Sequence, residues 1–75
     1  MTKERFTYLL ESFSHKRAVL LEEFEKLSTR LSEAKEKGLD CSEIMIEITN
    51  NFSSRLDLME QYTQAVEEYY GKKGD

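Results

Sequence analysis

Apolar residues recur at alternating steps of four and three along both halves of this chain. The first series contains Phe6, Leu10, Phe13, Leu20, Phe24, Leu27, Leu31 and Ala34, and only Arg17 interrupts it with a charge. The second series contains Cys41, Met45, Ile48, Phe52, Met59, Tyr62, Val66 and Tyr69, and only Arg55 interrupts it. This spacing places the members of each series along one face of a helix. The pattern therefore predicts two long amphipathic helices.

The residues between the two series are typical of a tight reversal. Gly38 supplies the left-handed residue that ends many helices, and Leu39 follows as the apolar contact of such a cap. Asp40 is expected to cap the second helix, with Glu43 completing a capping box. Because the turn is so short, the helices must be antiparallel neighbours. We predict an all-α, coiled-coil-like hairpin in a single domain over 1–75, with helices at 3–37 and 41–70, a turn at 38–40 and a frayed tail at 71–75.

The two series also predict a register. If paired residue numbers sum to 79, every position of one series meets a position of the other. Arg55 then lies on the ring of Phe24, and Arg17 on the ring of Tyr62. A cation over an aromatic face contributes about 0.5–2 kcal/mol, and an arginine stem covers apolar surface while its charged end reaches water.

Composition narrows the class of protein. The net charge is −4, which disfavours nucleic-acid binding because that binding depends on Lys and Arg neutralising phosphates. No stretch approaches 18 consecutive apolar residues, so we expect neither a membrane span nor a signal peptide. The single cysteine, Cys41, excludes an internal disulfide and fits a reducing compartment. The expected location is the cytoplasm.

Further apolar residues flank both series, so each apolar face is wider than one neighbouring helix can cover. The simplest way to bury them is a two-fold homodimer that forms a four-helix bundle, and the alternative is a groove for a helix of another protein. We therefore expect a self-associating protein-interaction module, acting as an adaptor, an assembly subunit or a small co-chaperone. The expected partner-binding residues are Leu9, Val19, Leu21, Ile44, Leu58 and Tyr70.

The residues that could carry chemistry are few. His15 has Glu11 one turn before it, but two side chains are too few for a metal site in a helical bundle. Cys41 lies at the start of the second helix, where the helix dipole favours a thiolate, yet no His or second Cys is near in sequence. Paired carboxylates need a cleft to perturb their pKa values, which a hairpin does not offer. We expect no enzyme activity, cofactor, bound metal or small-molecule substrate.

Two resemblances to known families suggest more specific roles. The run Ser53-Ser54-Arg55-Leu56-Asp57 resembles the Ser-x-x-x-Asp motif of the small Spo0E-like aspartyl-phosphate phosphatases, which are also helical hairpins. That resemblance implies an alternative function on a phosphorylated response regulator, with Asp57 as the critical side chain and Ser53 as the first residue of the motif. In length, acidity and architecture the chain is also similar to the small hairpin co-chaperones of the type III secretion needle, although no motif links them.

Overall fold

The computed structural model describes residues 1–71 and contains two helices that pack against each other as a hairpin. Helix α1 spans Lys3–Glu36 and helix α2 spans Ser42–Tyr70. Thr2 caps α1, since its Oγ1 accepts a hydrogen bond from the Arg5 N–H at 3.1 Å. The chain contains no proline and no glycine within either helix, so neither helix has a residue that would break it. The all-helical hairpin predicted from the sequence is confirmed.

The end of α1 forms the left-handed cap that Gly38 predicts. Gly38 has φ +69°. Its N–H donates to the Lys35 carbonyl at 3.2 Å, and the N–H of Leu39 donates to the Ala34 carbonyl at 2.9 Å. These two bonds satisfy carbonyls that the last helical turn leaves without partners. The side chain of Leu39 stays exposed, so the expected apolar contact does not form.

Replacing Gly38 by Ala should destabilise the hairpin by about 1–2 kcal/mol, because an L-residue is strained at positive φ. An added Cβ would meet no atom within 4 Å, so the cost is conformational rather than a clash. Urea unfolding at one fixed protein concentration would measure it. Lys37→Ala is the matched control, since Lys37 has φ −87°. Equal midpoints for the two variants would contradict this account of the turn.

The start of α2 differs in detail from the predicted capping box. The helix begins at Ser42, so Cys41 rather than Asp40 occupies the capping position. The Asp40 Oδ1 accepts hydrogen bonds from the Ser42 hydroxyl at 2.7 Å and from the Ser42 N–H at 3.0 Å. These bonds, the hydroxyl first, hold the pKa of the Asp40 carboxyl below its ordinary value. Among residues 1–71, Glu43 makes no hydrogen bond back to Asp40, so the reciprocal half of the box is absent.

The register of the hairpin is one helical turn away from the predicted one. The Phe6 ring stacks on Tyr69 with centroids 4.1 Å apart, and the Phe13 ring meets Tyr62 edge-on at 6.0 Å. The residue numbers in each of these pairs sum to 75, whereas the predicted register requires 79. The predicted contact of Arg17 with Tyr62 is therefore wrong, and Arg17 is exposed.

The face of α2 that packs on α1 shares alternate members with the predicted face, and at the positions between them it uses the residue one earlier in the chain. We call this face the inner seam: Ile44, Ile48, Asn51, Arg55, Leu58, Tyr62, Ala65 and Tyr69. All but Tyr62 are buried or half-buried. The small Ala65 permits close approach of the helices where the predicted face would have placed Val66. On α1, the predicted series holds, with Phe6, Leu27 and Ala34 buried.

Asn51 is the most buried residue of the interface, at 2% exposure. Its Nδ2 donates to the carbonyl oxygen of Leu20 at 2.9 Å and to Oε1 of Glu23 at 3.1 Å. Asn51 thus ties α2 to two acceptors on α1, which fixes the register in the way that a buried asparagine does in a coiled coil. The predicted series of α2 did not include Asn51 in the contact between the helices.

The hairpin is one layer thick. Its principal extents are 55 × 23 × 13 Å and its radius of gyration is 17.2 Å, whereas a compact chain of this length would have about 11 Å. Stable domains pack at least two layers of secondary structure around a core. The buried apolar residues among residues 1–71 are only Phe6, Leu27, Ala34 and Ala65. Residues 72–75, most of the predicted frayed tail, lie outside the described residues.

Candidate protein-interaction surface

A second apolar series runs along α2, one residue out of phase with the inner seam. We call it the outer seam: Met45, Thr49, Phe52, Leu56, Met59, Thr63 and Val66. Four of these side chains are large, apolar and about half exposed or more, namely Met45 at 48%, Phe52 at 53%, Leu56 at 49% and Met59 at 64%. Scattered exposed apolar residues are common on protein surfaces, but a row of them at coiled-coil spacing makes this face a candidate interaction surface.

A groove of about 630 Å³ lies between the outer seam and α1. We call it the outer groove. Its α1 wall is mostly apolar but includes Arg17, and its α2 wall includes Arg55. No carboxylate lines it along the described chain. The lining residues are Leu10, Phe13, Ser14, Arg17, Leu21, Phe52, Arg55, Leu56, Leu58, Met59, Tyr62 and Thr63.

Arg55 is the central polar side chain of this surface. Its guanidinium carbon lies 4.7 Å from the centroid of the Phe24 ring and 5.6 Å from that of Phe52. The predicted contact with Phe24 is therefore confirmed, even though the register around it is not. The Nε of Arg55 is buried and has no hydrogen-bond partner within residues 1–71. A buried donor without a partner costs free energy, so the packing of the Arg55 stem and ring contacts must offset that cost.

Substitutions of Arg55 should separate the contribution of its charge from that of its stem. Arg55→Met keeps an unbranched apolar side chain over Phe24 and should cost about 0.5–2 kcal/mol. Arg55→Glu should cost more, because it sets a carboxylate against the negative face of the ring. Urea unfolding at equal protein concentrations compares the two. Equal losses would show that the cation on Phe24 contributes nothing to the hairpin.

The six residues expected to bind a partner do not form one patch. Leu21 lines the outer groove, whereas Val19 lies in a second cleft with His15 and Asp57. Ile44 and Leu58 belong to the inner seam and are half-buried.

The remaining two expected residues lie elsewhere. Leu9 is half-buried on α1. Tyr70 is exposed at the open end of the hairpin, where its ring meets Phe6 at 5.8 Å and Tyr69 at 5.0 Å.

Sequence reasoning missed the outer seam as a surface because it assigned Met45, Phe52 and Met59 to the contact between the two helices. A signal for the correct assignment does exist. Two overlapping series of four-three spacing occur on α2, and only one of them can face α1. The other series is then left on the outside.

Asp57, the critical residue of the motif that resembles the phosphatases, does not line the outer groove. Asp57 is exposed and lines a shallow second cleft together with His15, Lys16 and Ser54. Ser53 is exposed and does not line that cleft.

The remaining candidates for chemistry are isolated side chains. His15 is exposed, and no group of three or more His, Cys, Asp or Glu within residues 1–71 is arranged to hold a metal ion. The Cys41 thiol is half-buried and donates to the Leu39 carbonyl at 3.5 Å.

Neither helix of the described chain has a stretch both long and apolar enough to cross a membrane. Comparison of the chain with protein-family models, with curated proteins and with solved structures found no match in any of the three.

Proposed function

We propose that this chain is a non-enzymatic protein-interaction module that self-associates through the outer seam of α2. Two hairpins related by a two-fold axis then form a four-helix assembly. The observation that carries the proposal is the outer seam itself, with four large apolar side chains exposed at heptad spacing on one face of one helix. An adaptor, an assembly subunit and a small co-chaperone would all use such a surface.

Burial of the outer seam in a dimer would offset much of the cost of association. Full burial of a large apolar side chain stabilises by about 1.5–3 kcal/mol. The four outer-seam residues are already about half-covered, so completing their burial in both copies would gain roughly 6–12 kcal/mol. Association costs about 4–15 kcal/mol in lost freedom and in side-chain ordering. The gain and the cost are therefore of similar size, and burial of Leu21 and Tyr62 beside the outer seam would add to the gain.

The shape of the hairpin supports the same proposal. A single layer of two helices leaves one wide face of each helix without a neighbour, and a second hairpin provides the missing layer. A two-fold contact uses the same patch on both copies, so the patch must be self-complementary. The outer seam meets this requirement because it carries no charge and its members are apolar except for Thr49 and Thr63.

Light scattering coupled to size exclusion tests the proposal on the wild-type chain. At loading concentrations of a few hundred micromolar we expect a mass near twice the 8.8 kDa of one chain. The mass should fall toward that of one chain on dilution. A mass of one chain at every concentration would contradict self-association and favour a helix of another protein as the occupant of the outer groove.

A second candidate function is that of an aspartyl-phosphate phosphatase acting on a response regulator. The observation that favours it is the second cleft, where Asp57 lies beside Lys16 and Ser54. Release of inorganic phosphate from a phosphorylated response regulator, lost in Asp57→Asn, would support this function. Because Asp57 lies outside the outer groove, the same variant should leave self-association unchanged, so the two functions can be tested independently.

A further inference from the structure

We propose that the two copies pair with their α2 helices parallel, and that Arg55 of each copy binds Glu60 of the other. This inference rests on the proposed self-association through the outer seam. It adds an orientation and a polar contact that determine which helix can occupy this surface.

The outer seam assigns a coiled-coil position to each residue near it. Met45, Phe52, Met59 and Val66 take position d, and Thr49, Leu56 and Thr63 take position a, because steps of four lead from d to a. Arg55, just before Leu56, then takes position g. Glu60, just after Met59, takes position e. Charged side chains at e and g flank the seam and determine the orientation of the partner helix.

Parallel pairing brings opposite charges together. In a parallel pair, position g of one helix lies beside position e of the following heptad in its partner. Glu60 follows Arg55 by five residues, which is the separation that this geometry requires. Because the dimer has two-fold symmetry, the contact between Arg55 and Glu60 occurs twice. Tyr62 and Glu67 repeat the same separation one heptad later, so the Tyr62 hydroxyl can donate to that carboxylate.

Antiparallel pairing gives no such contact. There, g faces g and e faces e, so Arg55 would lie opposite Ile48, Tyr62 or a second Arg55. Glu60 would lie opposite Ser53, Glu67 or a second Glu60. No opposite charges meet in that arrangement, and like charges face each other in three of the registers. Electrostatics therefore favours the parallel pair.

Arg55 is prepared for an acceptor from outside its own chain. Its guanidinium carbon lies 4.7 Å from the ring centroid of Phe24 and 5.6 Å from that of Phe52, beside the outer groove that Arg55 lines. The ion pairs found within residues 1–71 are Lys26–Glu22 and Arg30–Glu47, so neither Arg55 nor Glu60 is engaged in one of them. A carboxylate that approaches the outer groove meets Arg55 and Arg17 with no competing carboxylate in the lining.

Disulfide trapping in a Cys41→Ser background tests the orientation. Parallel pairing places each d position beside its own copy, so Met45→Cys and Met59→Cys should both cross-link into covalent dimers. Val19→Cys, on the other side of the hairpin, should remain monomeric under the same oxidation. Met45 and Met59 are 14 residues apart, about 21 Å along a helix. An antiparallel pair could therefore link at most one of them, since a disulfide needs Cα atoms within about 7 Å.

Charge reversal tests the polar contact. Glu60→Lys should raise the dimer dissociation constant about tenfold, because two favourable contacts become two repulsive ones. Glu68→Lys makes the same change in net charge at an exposed position away from the outer seam and should leave the constant within about twofold.

The outcomes separate the two proposals. Cross-linking of only one of the two cysteine variants would overturn the parallel arrangement while self-association stands. So would equal effects of Glu60→Lys and Glu68→Lys on the dimer dissociation constant. A wild-type chain that is monomeric throughout, with neither cysteine variant cross-linking, would overturn both.

Discussion

Asn51→Asp is expected to lower the free energy of unfolding by about 3–5 kcal/mol, the range observed when a buried charge is left without compensation. Asn51 is almost fully buried, and its Nδ2 donates to the Leu20 carbonyl and to the Glu23 carboxylate. An ionised Asp would replace both donated bonds with repulsion, since a carboxylate is an acceptor only. Chemical unfolding at neutral pH and constant protein concentration measures the loss.

The neighbouring residue provides a matched control. Asn50→Asp makes the same chemical change at an exposed position of the same helix, and should shift the free energy of unfolding by no more than about 0.5 kcal/mol. If the two variants unfold at the same denaturant concentration, Asn51 does not face α1 and the register described for the hairpin is incorrect.

Leu56→Glu is expected to raise the dimer dissociation constant at least a hundredfold. Leu56 lies in the middle of the outer seam, so the substitution would place a carboxylate from each copy in the apolar contact. The hairpin itself should stay folded, because Leu56 does not belong to the inner seam. Sedimentation equilibrium gives the constant, and circular dichroism shows whether the helices persist.

Val19→Glu is the control for that experiment. Val19 has the same 49% exposure as Leu56 but lies in the second cleft rather than the outer groove. It should leave the dissociation constant within about threefold of the wild-type value. A large effect of Val19→Glu with little effect of Leu56→Glu would move the interaction surface to the opposite side of the hairpin.

Much of the fold follows from short-range features of the sequence. The position of Gly38 and the absence of proline fix two helices and the turn between them, and the α1 series faces α2 as predicted. The contact of Arg55 with Phe24 was also predicted correctly. The helices and the turn depend on local conformational preferences. The contact of Arg55 with Phe24 was predicted correctly because the long arginine side chain reaches the ring even when the register changes.

The apolar content of the two series does not show which face of α2 packs on α1. The outer seam holds Phe52 and Met59 where the inner seam holds Asn51 and Leu58, so hydrophobicity favours the wrong series. Burial of Asn51 is favourable only because Leu20 and Glu23 present acceptors to it, and both are contributed by the other helix. The partners of Asn51 lie 28 or more residues away in the sequence. The spacing of apolar residues within one helix gives no information about such hydrogen bonds.

The same error affected the candidate surface. Once Phe52 and Met59 were assigned to the contact between the helices, the residues left to bind a partner were Val19, Leu21 and others that the fold distributes over different sides. Leu21 does line the outer groove, because its position follows from the α1 series, which was assigned correctly. A surface to which two helices contribute can be predicted only when the packed face of each helix has been identified correctly.

The most direct test of self-association through the outer seam is an isotope-filtered NMR measurement on a mixture of labelled and unlabelled chains. We expect intermolecular nuclear Overhauser effects at the Met59 methyl group of one copy, with the Leu56 methyl groups of the other as their source. A well-dispersed spectrum without any intermolecular effect at Met45 or Met59, at concentrations where the mass is that of two chains, would contradict the account.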